Sequence, residues 1–146
     1  EDYYNQQAEG AKKIAQALRD DGYIIGCYTY SNISYGELSA TKIQVDMDNW
    51  KKEVTPVLGD VPVMVFAKAS DIGVNYDNGK YNVLKNEGFR YFISHSSKPA
   101  CKVAGNYVRQ LRVMVTGTQM AHASTTYAAY FDSQAVLNDL RGNVPQ

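Results

Sequence analysis

The chain has 146 residues, 45% of them hydrophobic and 21% charged, which suits one globular domain with a single core. Fifteen basic residues balance fifteen acidic ones and form no basic stripe, so nucleic acid is not an expected partner. No apolar run approaches the roughly 20 residues that a membrane-spanning helix needs.

From Asp2 onward, Tyr4, Ala8, Ala11, Ala15 and Leu18 recur on one stripe with Ile14 beside it, predicting an amphipathic helix to about Asp21. Asp2 can cap its start, and Gly22 supplies the stop. The chain opens inside this helical pattern and is therefore expected to be part of a longer one. The run GYIIGCYTYSNISYG follows. Its apolar, β-branched part (23–30) reads as a buried strand. Its polar end (Ser31, Asn32, Ser34, Gly36) reads as a loop at the strand's C-terminal edge, where α/β folds place their ligands.

Ser39 is a candidate cap for a second helix, in which Ile43, Met47, Trp50, Val54 and Val57 recur at spacings of three and four. Pro56 weakens it near Thr55, and Gly59 closes it. Residues 61–66 form a second strand, 80–86 a short helix stopped by Gly88, and 89–93 a third strand. The order helix, glycine, strand thus appears three times, which predicts an α/β fold of parallel strands with flanking helices. Ile24, Met47, Trp50, Val63, Val65, Leu84 and Phe92 are its expected core. Further on, 101–103 and 107–115 read as strands around a turn at 104–106. Asp132 or Ser133 can cap a last helix carrying Ala135, Val136 and Leu140.

Chemistry-bearing residues are sparse. His95 and His122 have no second ligand at metal-binding spacing and read as loop or rim residues. Asp20 with Asp21, Lys12 with Lys13 and Lys51 with Lys52 read as solvated charge. Cys27 and Cys101 are expected as two free thiols, with a single disulfide as the alternative. Arg109 and Arg112, three apart on a strand, face opposite sides, so at most one reaches a cleft. Asn32-Ile33-Ser34 is a glycosylation acceptor pattern. Phosphate-loop, nucleophile-elbow and dinucleotide fingerprints are absent from the sequence. The twelve tyrosines give the end of the first strand an aromatic, polar character suited to carbohydrate or protein contact.

GYIIGCYTYSNISYG, WKKEVTPVLG, VPVMVFAKASDIG, YNVLKNEGFRYF, NYVRQLRVMVTGTQM and DSQAVLNDLRGNVP, in this order, resemble a polysaccharide deacetylase domain of carbohydrate esterase family four over most of the chain. The resemblance implies a single domain over 1–146, folded as a distorted, incomplete (β/α) barrel. It also implies removal of N- or O-acetyl groups from glycans at an ion held by one aspartate and two histidines. The histidine pair falls on Tyr28 and Asn32, and the aspartate-bearing first strand has no counterpart before Glu1. The family's arginine and proline loop falls on residues 66–70, FAKAS, which keep neither residue. The late catalytic histidine has no match beyond His122.

The expectation is therefore a non-catalytic extracellular or cell-surface domain without metal or cofactor. It would bind a glycan or a surface protein along a cleft edge of Tyr28, Tyr30, Asn32, Tyr35 and Asp71. The missing first unit would leave a sheet edge uncovered for self-association. The alternative is a zinc-type, metal-dependent deacetylase with a rebuilt site using Asp71 or His95.

Overall fold

The computed structural model describes residues 2–75, 77–96, 100–113, 115–117 and 128. The chain separates into two compact units, Glu1–Arg112 and Val113–Gln146. His122 and the helix expected after Asp132 or Ser133 lie outside the described residues. In the second unit, Val115 is about half exposed.

The first unit is a mixed α/β structure. Helix α1 (Asp2–Asp20) ends where Gly22 takes φ 85°, which lets the Gly22 and Tyr23 N–H groups cap the Arg19 and Leu18 carbonyls at 2.9 Å. Strand β1 (Gly26–Cys27) follows. Helix α2 (Ala40–Glu53) starts at Ser39, whose hydroxyl accepts from the Lys42 N–H at 3.3 Å. Val54 interrupts it, and α3 (Thr55–Leu58) restarts with Pro56 in its first turn, where the missing proline N–H costs nothing. Strand β2 (Val63–Val65) leads through a tight turn at Ala67–Ala69 to α4 (Gly79–Asn86). Asn78 caps α4 by accepting from the Tyr81 N–H at 3.0 Å. Strand β3 (Tyr91–His95) then precedes a hairpin of β4 (Ala100–Ala104) and β5 (Tyr107–Arg112).

These strands form one sheet in the order β1-β2-β3-β5-β4, with β1, β2, β3 and β5 parallel and β4 antiparallel to β5. The three strands expected to be parallel neighbours are so, although each pairs over a shorter or shifted span. Residues 23–25 stay outside the ladder, which begins at Gly26 opposite Val63.

One side of the sheet carries the core. Cys27, Met64 and Phe92 pack there with Ile43 and Met47 of α2 and Tyr81 and Leu84 of α4. Phe92 stacks on Phe66 at 6.3 Å and meets Tyr81 edge-on at 5.1 Å. Alternation sends Val63, Val65, Tyr91 and Ile93 to the opposite face, where they are only partly buried or exposed. Four expected core positions therefore need correction. Ile24 is 80% exposed because its segment is unpaired, and Val63 and Val65 are half-buried because they lie on the face away from the core. Trp50 is likewise half-buried, packing on the edge of the core. Met47, Leu84 and Phe92 are buried as expected. Both cysteines are free, Cys27 buried and Cys101 exposed.

The two faces predict unequal mutational costs. Leu84→Ala should destabilise by about 2–5 kcal/mol through lost packing. Ile24→Ser should stay within about 0.5 kcal/mol. Urea unfolding of the two variants checks the difference.

Candidate functional site

The C-terminal edge of the parallel strands carries two loops whose backbones are held in uncommon conformations. After β1, Thr29 and Asn32 take φ 57° and 52°; after β2, Lys68 and Ala69 take φ 54° and 51°. None is glycine, so each left-handed residue costs roughly 1–2 kcal/mol that its surroundings must offset.

For the first loop, the offset comes from Asp46, a buried carboxylate on the inner stripe of α2 between Ile43 and Met47. Its Oδ2 accepts from the Tyr30 N–H at 2.9 Å and the Tyr35 hydroxyl at 2.6 Å, and its Oδ1 from the Ser31 N–H at 3.1 Å. Three donors and no acceptor around it define an ionised carboxylate. Thr29 Oγ1 adds a bond from the Ile33 N–H at 3.2 Å. The Lys80 ammonium ties the loop's far end to α4, donating to the carbonyls of Tyr35 at 3.1 Å and Gly36 at 2.7 Å.

The two loops touch. Tyr28 Oη accepts from the Lys68 N–H at 3.3 Å. A Cβ on Gly36 would sit 2.8 Å from the Asp71 carbonyl oxygen, closer than side chains tolerate, so only glycine permits this approach. Behind it, Asp71 pairs with the buried Arg109 of β5, and the Ser94 hydroxyl of β3 donates to the Ser70 carbonyl at 3.1 Å. The Ser70 hydroxyl and Asp71 Oδ1 are buried without a hydrogen-bond partner among the described residues.

The five residues read from sequence as a cleft edge have divergent placements. Tyr28, 45% exposed, and Asn32, exposed in its left-handed turn, lie on the rim. Tyr30 bends back to donate its hydroxyl to Glu53 at 2.5 Å, and this contact raises its pKa. Tyr35 is fully buried; burial first and its bond to Asp46 second push its phenol far above the usual tyrosine range. Asp71 is partly exposed and bound to Arg109. Sequence reasoning passed over Asp46. Its signal was present: an acid at the i+3 position of an apolar i, i+3, i+4 stripe must find donors or destabilise the helix packing.

Tyr28, whose phenol already accepts a backbone N–H, and the exposed amide of Asn32 are both weak ligands for a divalent ion. Among the described residues no three His, Cys, Asp or Glu side chains cluster closely enough to hold an ion. No helix among them is long and apolar enough to cross a membrane.

Burial raises the Cys27 thiol to about 12. It is therefore neutral and inert near neutrality, and a thiol reagent should label Cys101 in the native protein and Cys27 only after unfolding. The folded state also holds the Cys27 proton more tightly than the unfolded state does. That stabilisation is complete below the ordinary thiol value of 9.0 and is lost as pH rises toward about 12. Urea midpoints at about pH 8 and about pH 11 should fall less in Cys27→Val than in the unsubstituted protein. Asp46→Ala, which strands two backbone N–H groups and the Tyr35 hydroxyl, should cost at least about 2 kcal/mol in the same assay.

Comparison with protein-family models, with curated proteins and with solved structures finds no match to this chain.

Proposed function

We propose that the chain is a deacetylase-like domain, an incomplete (β/α) barrel, which binds glycan without hydrolysing it. The sheet supports the barrel reading: its parallel strands carry the helical core on one face and turn an apolar face the other way, as barrel strands do toward the barrel axis. The observation that carries the binding reading is the rim itself. Two loops at the C-terminal edge hold non-glycine residues in left-handed turns, and the first, fixed by Asp46, carries both Tyr28 and Asn32 on the rim. An aromatic face and an amide on one rim suit the C–H faces and hydroxyl edges of a sugar ring.

The same residues argue against metal-assisted hydrolysis in this site, since a phenol and an amide stand where imidazoles would be needed. Asp71, the acid that a rebuilt site would use, is already engaged by Arg109. An extracellular setting agrees with Asn32 lying exposed within Asn-Ile-Ser. The domain's partner is then a cell-wall or surface glycan, or a surface protein that carries one. The two-residue β1 at the sheet margin is the edge through which another segment or copy would add.

Calorimetry with acetylated chito-oligosaccharides tests this reading. Saturable binding is expected, and Tyr28→Ala should weaken it about tenfold, the equivalent of about 1.4 kcal/mol. Acetate release with added zinc or cobalt should stay at the buffer rate. Metal-dependent turnover above that rate would establish the rebuilt deacetylase instead.

A further inference from the structure

The face of the sheet away from the core ends in two basic side chains that join no ion pair among the described residues. His95 and Arg112 are register partners on the adjacent parallel strands β3 and β5, with backbones about 5 Å apart. Alternation places both on the side of Ile93 and Gln110, while Ser94 and Arg109 are buried on the core side. Both side chains are partly buried. Arg112 Nε is buried with no hydrogen-bond partner, and neither residue joins an ion pair among the described residues. Arg109, three residues earlier on the other face, has Asp71. A guanidinium N–H withdrawn from water without an acceptor is costly, and an entering oxyanion removes that cost.

Beside this pair the same face forms a groove of about 550 Å³ lined chiefly by Ile24, Val63, Val65, Tyr91, Ile93 and Val108, with no charged residue among the described residues of its wall. It crosses β1, β2, β3 and β5, about 14 Å of sheet width, enough for a chain of about ten carbons. Its floor is mostly aliphatic. A sugar would find one aromatic ring and one amide there, whereas a hydrocarbon chain finds continuous apolar contact.

We infer that this groove binds an alkyl carboxylate, with the carboxylate at His95 and Arg112 and the hydrocarbon chain along Ile93, Val65 and Val63. The charge at one end and the apolar floor beside it select an amphiphile of that polarity. The site uses strands β2, β3 and β5 on the face that the barrel reading turns toward its axis, and it requires that face to be open; the glycan rim of Tyr28 and Asn32 lies on the loops instead, so Tyr28→Ala and His95→Gln tell the two readings apart.

Decanoate below its micelle concentration, titrated into the whole chain by calorimetry, is the test. One saturable site per chain is expected, with decanol and acetate each at least about tenfold weaker. Arg112→Gln and His95→Gln should each lower decanoate affinity about tenfold, and Val65→Asp should abolish binding. Circular dichroism checks that each variant folds. If Arg112→Gln does not fold, His95→Gln and the ligand series on the unsubstituted chain decide the matter. Decanol binding as tightly as decanoate, or unchanged affinity in His95→Gln, would overturn the inference. So would a dimer in sedimentation that takes up no decanoate, which would show a second copy covering the face.

Discussion

The Asp46 carboxylate is the constraint on which the C-terminal edge of the sheet depends. It is a single buried charge on α2, and it collects the Tyr30 and Ser31 N–H groups and the Tyr35 hydroxyl. Because the charge is desolvated, those donors must stay in place, and the loop between β1 and α2 acquires one shape. That shape sets Gly36 against the Asp71 carbonyl, and Asp71 in turn reaches Arg109 on β5. A helix, two loops and a distant strand are thus linked through one acid, and strain at Thr29 and Asn32 is tolerated because the link holds.

The sheet is chemically two-sided. Its core side is an aromatic cluster in which Phe66, Phe92, Tyr81 and Tyr35 meet in stacked, edge-on and tilted contacts. Its other side is aliphatic and bounded by basic groups. The single strand β5 shows the contrast best: Arg109 goes inward to a carboxylate, while Arg112 goes outward to the groove side. An arginine on the core side needs its counter-charge built in, whereas one on the open side can take it from a ligand.

Much of this fold was legible in the residues. Ser39 caps a helix and Gly22, Gly59 and Gly88 close others where the sequence places them, because caps and stops are local chemistry. The parallel order of the first three strands followed from the repeated helix-to-strand links. The lengths of the strands did not, since pairing depends on a partner that local pattern cannot reveal. Ile24 shows this: an apolar residue in a β-branched run reads as core, yet nothing pairs with its segment. The site was half legible. Tyr28 and Asn32 sit on the rim, but Tyr35 looked like a loop tyrosine until its acid partner, eleven residues on and hidden in a helix stripe, was seen beside it.

The hairpin of β4 and β5 also bears on how the chain is made. β5 lies beside β3, and β4 lies outside both, so the spatial order departs from the chain order at this point. During synthesis the first three strands emerge with one margin of β3 unpaired. The next strand to leave the ribosome is not the one that covers it. Only after the Gly105 turn brings Tyr107–Arg112 back can that margin close, and it then closes with a two-stranded unit already formed by local contacts. The nascent domain therefore passes through an interval in which an apolar strand edge is open to neighbouring chains, and the time taken to synthesise the hairpin, far longer than the microseconds in which a hairpin folds, sets its length.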